Sequence, residues 1–323
     1  MTHYEFQGDR LAEASERPGT VWVAVAPDDR DQALLKERFG LDDYDLGSML
    51  DPDEVPRFVQ EKDRMLLIWR LPETATVAES VELGVSVAGL ALARDGLALV
   101  RAAGDVSFAG REFRQVADPR DVLLAYLLRT VRHFVGHLRA IKQMSSELEK
   151  KVTVSMENQH LLQMFSLSRS LVYYVDAIEG NGAALAKLRS AAGQHGFQAR
   201  HLEALDDLLL ENSQAARQAA IFSSVLSGLM DARGTIVNNN MNVLLKNLTL
   251  INIVFLPLNL IASIGGMSEW TMMTQGLDWR LSYGLFCLGL VALGGATWVL
   301  MKKTVDRRPG GRVAVGRAPP PPA

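Results

Sequence analysis

The chain has 323 residues, a formal net charge of −3 and a pI near 6.1, a balance that gives no reason to expect nucleic-acid binding. Hydrophobic residues make up 48%, so a membrane-embedded part must be a minority, and the lone cysteine, Cys287, excludes an intramolecular disulfide and a cysteine-based metal site. No glycine-rich phosphate loop, nucleophile elbow or zincin motif occurs, and the chain does not read as an enzyme. Met1–Arg10 lacks a basic stretch followed by an apolar one, so it does not read as a secretory signal.

Residues 1–118 read as a mixed α and β domain. Thr20–Ala26 is a short β-rich run ended by Pro27. Asp31–Phe39 has a helix pattern, with Leu34, Leu35 and Phe39 on one face and Gly40 as the stop. Met65–Trp69 is a strand, and Val85–Val100 a hairpin turning at Arg94, Asp95 and Gly96, where glycine tolerates the positive φ of a tight turn. After Pro119 proline vanishes until Pro257 and helical periodicity takes over, so 119–246 reads as a helical stalk. One helix runs from Asp121 to near Val154, with Val122, Ala125, Leu128, Val131 and Val135 on one side. A second runs from Ser155 to Ile178, with Gly180 and Gly182 as punctuation. A third starts near Gln198 and meets no strong breaker before the first apolar run; unbroken, it would be about 95–100 Å long at 1.5 Å per residue. Such a helix needs partners along its length, which points to self-association.

Two charge-free apolar runs follow, Leu248–Met267 and Leu281–Met301, each long enough to cross a hydrocarbon core of roughly 30 Å. They set spans at 247–267 and 281–301, joined by a short external loop at 268–280. Lys246 precedes the first run and Lys302, Lys303, Arg307 and Arg308 follow the second, so the positive-inside rule puts both termini in the cytoplasm. The basic, proline-rich tail, 302–323, has no means of packing and reads as disordered.

The first span carries polar residues that lipid does not tolerate on an exposed face. On a wheel of about 100° per residue with Asn242 at zero, Thr249 falls near −20°, Asn252 near −80°, Asn259 near −100° and Ser263 near −60°. All lie within roughly a third of the circumference, and Leu245, Leu248 and Leu256 fall in or beside that sector. Neutral amide and hydroxyl oxygens can replace or hydrogen-bond the waters of a cation without trapping it. The same groups can instead hydrogen-bond between helices and hold an oligomer together. Pro257 adds a mid-helix kink that frees an upstream carbonyl.

Asn240–Leu250, Phe255–Pro257 and Ile264–Ser268 resemble the first membrane helix of the CorA family of divalent-cation transporters, the two-span GxN superfamily. Val21–Val23, Leu50–Arg57 and Leu66–Pro72 resemble its cytoplasmic domain, and Ser227–Asp231 the stalk above the membrane. The resemblance covers most of the chain. It implies an α+β cytoplasmic domain, a long helical stalk and two C-terminal transmembrane helices in a funnel-shaped homopentamer of the cytoplasmic (inner) membrane. Five copies of the first span would surround the pore. The implied pore line is Asn242, Leu245, Leu248, Leu256, Asn259, Ser263 and Ser268, with the leucines gating by dewetting near the cytoplasmic end. Divalent cations are the implied substrate, and no permanently bound cofactor is implied.

The sequence departs from the family at its signature. The family's Gly-Met-Asn reads Gly266-Met267-Ser268, the aromatic that usually precedes it is Gly265, and Trp270–Gln275 replaces the usual loop. Glu269 keeps one acid at the mouth, where five copies would focus cations; the plainer reading is an exposed loop glutamate. Mg²⁺ holds its water shell and needs well-placed oxygens around it, so the changed mouth weakens the magnesium reading. Phe286–Leu288, Gly294, Gly295 and Trp298 resemble the zinc-transporting ZntB branch, which favours Zn²⁺ with Mg²⁺, Co²⁺ and Ni²⁺ behind it. The stripe offers zinc no His, Cys, Asp or Glu, so the ion would pass hydrated and selectivity should be loose. The alternatives are a non-selective pore, or a non-transporting scaffold or sensor that kept the fold.

Asp207, beside Asp206, matches the position of an inter-subunit regulatory carboxylate in the family; a cation there would favour a closed state by binding it better. A solvated helix face is the alternative. His133 and His137 have zinc-chelating i, i+4 spacing, but Arg129, Arg132 and Arg139 surround them and disfavour a cation.

Overall fold

A computed structural model describes residues 1–14, 19–61, 64–73, 76–77, 81–94, 96–154, 158–276 and 278–306. The chain divides into two units, Met1–Arg233 and Gly234–Ala323. Asp95, at the expected hairpin turn, and the tail from Arg307 onward lie outside the described residues.

The first unit is built on strands β1 (Thr2–Gln7), β2 (Arg10–Glu13), β3 (Val21–Val25), β4 (Arg57–Gln60), β5 (Arg64–Pro72), the short β6 (Thr76–Val77) and β7 (Val81–Glu82), β8 (Val85–Ala93) and β9 (Gly96–Arg101). Seven form one sheet in the order β2-β1-β3-β9-β8-β5-β4, antiparallel except where β3 lies parallel to β9; β6 and β7 pair separately. The expected hairpin is β8 and β9, in register from Ala93↔Gly96 to Ala88↔Arg101.

Side chains alternate across the central strands. Val21, Val23, Leu67, Trp69, Leu90, Leu97 and Leu99 face one way; Trp22, Ala24, Leu66, Ile68, Val87, Ala98 and Val100 face the other. Both faces are covered, so the strands read as continuous apolar runs rather than alternating ones. One face is covered by α1 (Asp29–Phe39) and α2 (Asp43–Leu50) through Leu35, Phe39, Leu46 and Met49. Gly40 ends α1 with φ 64°, in the left-handed region that glycine adopts freely. Asp42 caps α2 through a capping box with Asp45, a signal present in the sequence but masked by its run of acids. Gly89 in β8 exists for Met49: a Cβ there would lie 2.0 Å from Met49 Cγ.

The other face is covered by α3 (Pro119–Val154), α4 (Asn158–Ala191) and the start of α5 (Ala199–Gly265), through Val122, Leu127, Leu185, Leu188, Leu205 and Leu208. A short 3-10 turn, Ala192–His195, follows α4. Farther along, the three helices pack on one another through Phe134, Leu138, Met164, Leu171, Tyr174, Ala215 and Leu226. The glycines at 180 and 182 do not end α4, which runs on to Ala191. They flank the fully buried Asn181 and allow close approach: a Cβ at Gly180 would sit 2.9 Å from Pro56 Cγ, and one at Gly182 2.9 Å from Asn212 Nδ2. Asn181 closes the sheet edge, accepting from the Arg70 N–H (3.0 Å) and donating to the Arg70 carbonyl (2.7 Å).

In the second unit α5 ends at Gly265, and α6 (Ser268–Met273) and α7 (Trp279–Asp306) follow. The segment 268–280 is thus partly helical, and 302–306 belongs to α7.

Candidate functional site

The apolar end of α5 and the helix α7 are both long and apolar enough to cross a membrane. Within the second unit they pack through small residues. A Cβ on Gly265 would lie 2.3 Å from Phe286 Cζ, and one on Gly294 3.3 Å from Leu258 Cδ1; the Trp270 and Phe286 rings stand 5.6 Å apart. Phe286 thus fills the room beside Gly265. Val254, Leu258, Ile261 and Gly265 are half-buried on this face. On the wheel they cluster near about 130°.

The polar stripe lies on the opposite face, centred near about −70°. Asn242, Leu245, Leu248, Leu256, Asn259 and Ser263 are all exposed in the single chain, Leu256 by 70%. Thr249 returns its hydroxyl to the helix, donating to the Leu245 carbonyl at 2.8 Å, which leaves its oxygen but not its proton for the stripe. α5 continues through Pro257. It ends in a turn where the Gly266 N–H is shared between the Ala262 (3.1 Å) and Ser263 (3.2 Å) carbonyls and the Met267 N–H reaches Ile264 O at 3.1 Å. Met267 is extended and Ser268 opens α6, so Glu269 sits in the first turn of a helix rather than in a loop; the helix N-terminus favours its charge. Gly266, Met267, Ser268 and Glu269 are exposed.

Outside the apolar helices, the candidate carboxylates separate. Asp206 accepts two hydrogen bonds from Arg189, at 2.7 and 2.9 Å, which hold its carboxyl below the usual range. Asp207 is exposed and makes no ion pair among the described residues. His133 and His137 stack edge-on at 4.4 Å, and His137 Nδ1 lies 2.6 Å from the Tyr174 hydroxyl. Burial and the neighbouring His133 push His137 down to about 4; burial and Arg129 lower His133. The pair is neutral at physiological pH, with His137 Nδ1 engaged in a hydrogen bond with the Tyr174 hydroxyl. No group of three or more His, Cys, Asp or Glu that could hold a metal occurs among the described residues.

An α/β domain followed by long helices and two apolar C-terminal helices defines the class: a membrane protein of CorA-like fold. The chain belongs to the CorA-like Mg²⁺ transporter protein family, whose profile matches residues 18–303. A relative from Methanocaldococcus jannaschii, cobalt/magnesium transport protein CorA, is 24% identical over 259 residues, covering 77% of this chain and 80% of that protein. The complete structure of the CorA magnesium transporter from M. jannaschii matches with a TM-score of 0.69 at 17% identity, covering 95% of this chain and 96% of that one. The ZntB cytoplasmic domain from Vibrio parahaemolyticus matches at TM-score 0.59 and 11% identity, covering 74% of this chain and 98% of that domain. These structural likenesses concern the fold.

Reading the sequence alone misses two features of this region. The packing of Gly265 on Phe286 has no local signal, because the partners are 21 positions apart on different helices. The helical start of α6 was hidden by its brevity.

Proposed function

We propose that the chain transports divalent metal cations across the cytoplasmic membrane through the axis of a homopentamer, with both termini in the cytoplasm. One observation carries the reading: the polar groups of the apolar end of α5 share one face, opposite the face that packs on α7. A span with one face on its own second helix and a polar face opposite needs an environment other than lipid for the polar face. Five such faces around an axis provide it. Exposed Leu210, Ile221 and Val225 on α5 give the helix apolar surface for neighbouring copies.

In this arrangement Asn242, Leu245 and Leu248 form the cytoplasmic constriction, Leu256 a second apolar ring, and Asn259 and Ser263 neutral polar rings. Gly266, Met267 and Ser268 form the outer mouth, and Glu269 raises the local cation concentration there. The domain divisions follow: an α/β domain to 118, a stalk to 246, spans at 247–267 and 281–301. The stripe holds no carboxylate, imidazole or thiol, so the ion passes with water attached. Zn²⁺ is placed ahead of Mg²⁺, Co²⁺ and Ni²⁺ on the likeness of α7 to the ZntB branch and on the changed mouth. Asp207, unlike its paired neighbour Asp206, has its carboxylate available to a cation shared with another subunit.

The test is reconstitution of the purified protein in liposomes, with entry of Zn²⁺, Mg²⁺, Co²⁺ and Ni²⁺ followed beside the Asn259→Leu variant. Saturable entry that Asn259→Leu abolishes is expected. No flux above that of empty vesicles sinks transport and leaves the non-transporting scaffold. Flux unchanged by Asn259→Leu removes the stripe from the pore. Ser268→Asn should raise Mg²⁺ entry relative to Zn²⁺, and a detergent-solubilised mass other than a pentamer's refutes the assembly.

A further inference from the structure

Where the ends of β5, β8 and β9 meet α3, the first unit holds a cleft of about 550 Å³, within the range of small-molecule sites. Arg101, the last residue of β9, is only 9% exposed and lines it. Its guanidinium is clamped from the back: Nη1 donates to the Asp105 carbonyl and Nη2 to Ser86 Oγ, both at 3.2 Å. Gly104 wraps the group with φ +88°, and a Cβ there would lie 3.1 Å from Arg101 Nη2. Both acceptors are neutral, and no ion pair compensates the charge among the described residues. Arg101 Nε, buried, has no hydrogen-bond partner among the described residues.

Tyr126, only 6% exposed, lines the same cleft, and its buried hydroxyl too has no partner among the described residues. Arg129, one helical turn along α3, is held by its bond to the Ser107 carbonyl and lines the cleft as well. The charged groups that act on the Tyr126 hydroxyl are Arg101 and Arg129; burial outweighs them and keeps the hydroxyl protonated, hence a donor. Two carboxylates also line the cleft. Glu73 sits against Gly84 and acts on Tyr174, while Asp105 offers its main-chain carbonyl to Arg101. Neither acts on the Tyr126 hydroxyl. Around Arg101, Tyr126 and Arg129 the cleft therefore offers two cationic groups and two unspent donors.

A buried guanidinium without an anion is costly, whereas an oxyanion bound to it gains charge-assisted hydrogen bonds. We propose that this cleft binds a small organic phosphate, whose phosphoryl oxygens accept from Arg101 Nε and the Tyr126 hydroxyl while Arg129 neutralises the remaining charge. The volume exceeds what inorganic phosphate needs and leaves room for a nucleotide-sized remainder between Leu71, Val87 and Val106. The site is separate from the apolar helices and does not depend on what they conduct.

The full-length protein, in detergent with EDTA and phosphate-free buffer, is titrated calorimetrically with inorganic phosphate and with adenosine monophosphate, and with chloride at matched ionic strength. One saturable site per chain is expected for the phosphates and none for chloride, with the nucleotide binding more tightly. Tyr126→Phe removes only an unpartnered hydroxyl, so its unfolding midpoint without ligand should equal or exceed the wild type's while its Kd rises at least fivefold. Arg129→Gln should weaken binding similarly. Saturable binding of neither phosphate, or equal binding by wild type and both variants, overturns the proposal. If no phosphate binds and Arg101→Met instead weakens subunit association, the cleft receives an acidic side chain of a second copy, and the proposal also fails.

Discussion

Asn181 offers the sharpest test of how the α/β domain is closed. β4 pairs with β5 only as far as Arg57↔Ile68, so the sheet edge at Arg70 has no strand beside it. The Asn181 carboxamide stands in for that strand with bonds of 3.0 and 2.7 Å, at a position of zero exposure. Arg70 in turn fastens the preceding loop and α4, donating to the Asp53 and Glu54 carbonyls, each at 3.0 Å, and to Asp176 at 2.5 Å. Asn181→Leu keeps the branched shape, with a somewhat larger side chain, but strands the part-buried Arg70 N–H and C=O. At about 1–3 kcal/mol for each unsatisfied group, less roughly 1 kcal/mol regained from the apolar side chain, the loss is about 1–5 kcal/mol. That corresponds to a fall of about 2–20 °C in the unfolding midpoint, measured by circular dichroism on the detergent-solubilised protein. Asn181→Asp keeps the acceptor for the Arg70 N–H but sets an oxygen against the Arg70 carbonyl. Its deficit should shrink as pH falls, because the protonated carboxyl donates again. A midpoint for Asn181→Leu within 1 °C or so of wild type would refute the edge-closing role.

Three further outcomes follow from other parts of the molecule. His137 is held near 4 against 6.5 when unfolded, so the unfolded chain binds the extra proton first; stability is complete above about pH 6.5 and falls toward pH 4. After screening at this partly exposed ring the contribution is about 1–2 kcal/mol, and denaturant midpoints across that window should slope less in His137→Phe than in wild type. Gly265→Val drives a methyl into Phe286 and should cost about 1–3 kcal/mol, largely relieved by Phe286→Ala; simple additivity in that double-mutant cycle would refute the contact. Asp207→Asn should weaken inhibition of flux by internal divalent cation at least threefold, while Asp206→Asn, which loses only its Arg189 pair, should not; equal effects would remove Asp207 from regulation.

Part of this protein could be read from local pattern alone. The periodicity of α3, the stop at Gly40, the β8–β9 hairpin and the two charge-free apolar runs each arise from residues adjacent in sequence, whose spacing carries the geometry. The angle between Asn242, Asn259 and Ser263 is likewise a property of one helix, so the stripe was legible before any packing was known. Short or weakly apolar elements were not: β1 and β2 are half-exposed edge strands, and α2 opens in a run of acids. Gly180 and Gly182 mislead because glycine signals a helix stop and a close approach equally well, and only Pro56 and Asn212 decide between them.

Tertiary structure settled relations between residues distant in the chain. It set β3 parallel to β9 across the 70 or so residues of α1, α2, β4, β5 and β8, and it put Asn181 on the edge at Arg70. It also turned the stripe away from α7, and it brought the unpartnered donors of Arg101 and Tyr126 into one cleft. Helical phase within a segment is a matter of bond geometry and needs no neighbours. Which face meets which partner depends on how apolar surfaces from the whole chain exclude water together, and no local spacing encodes that.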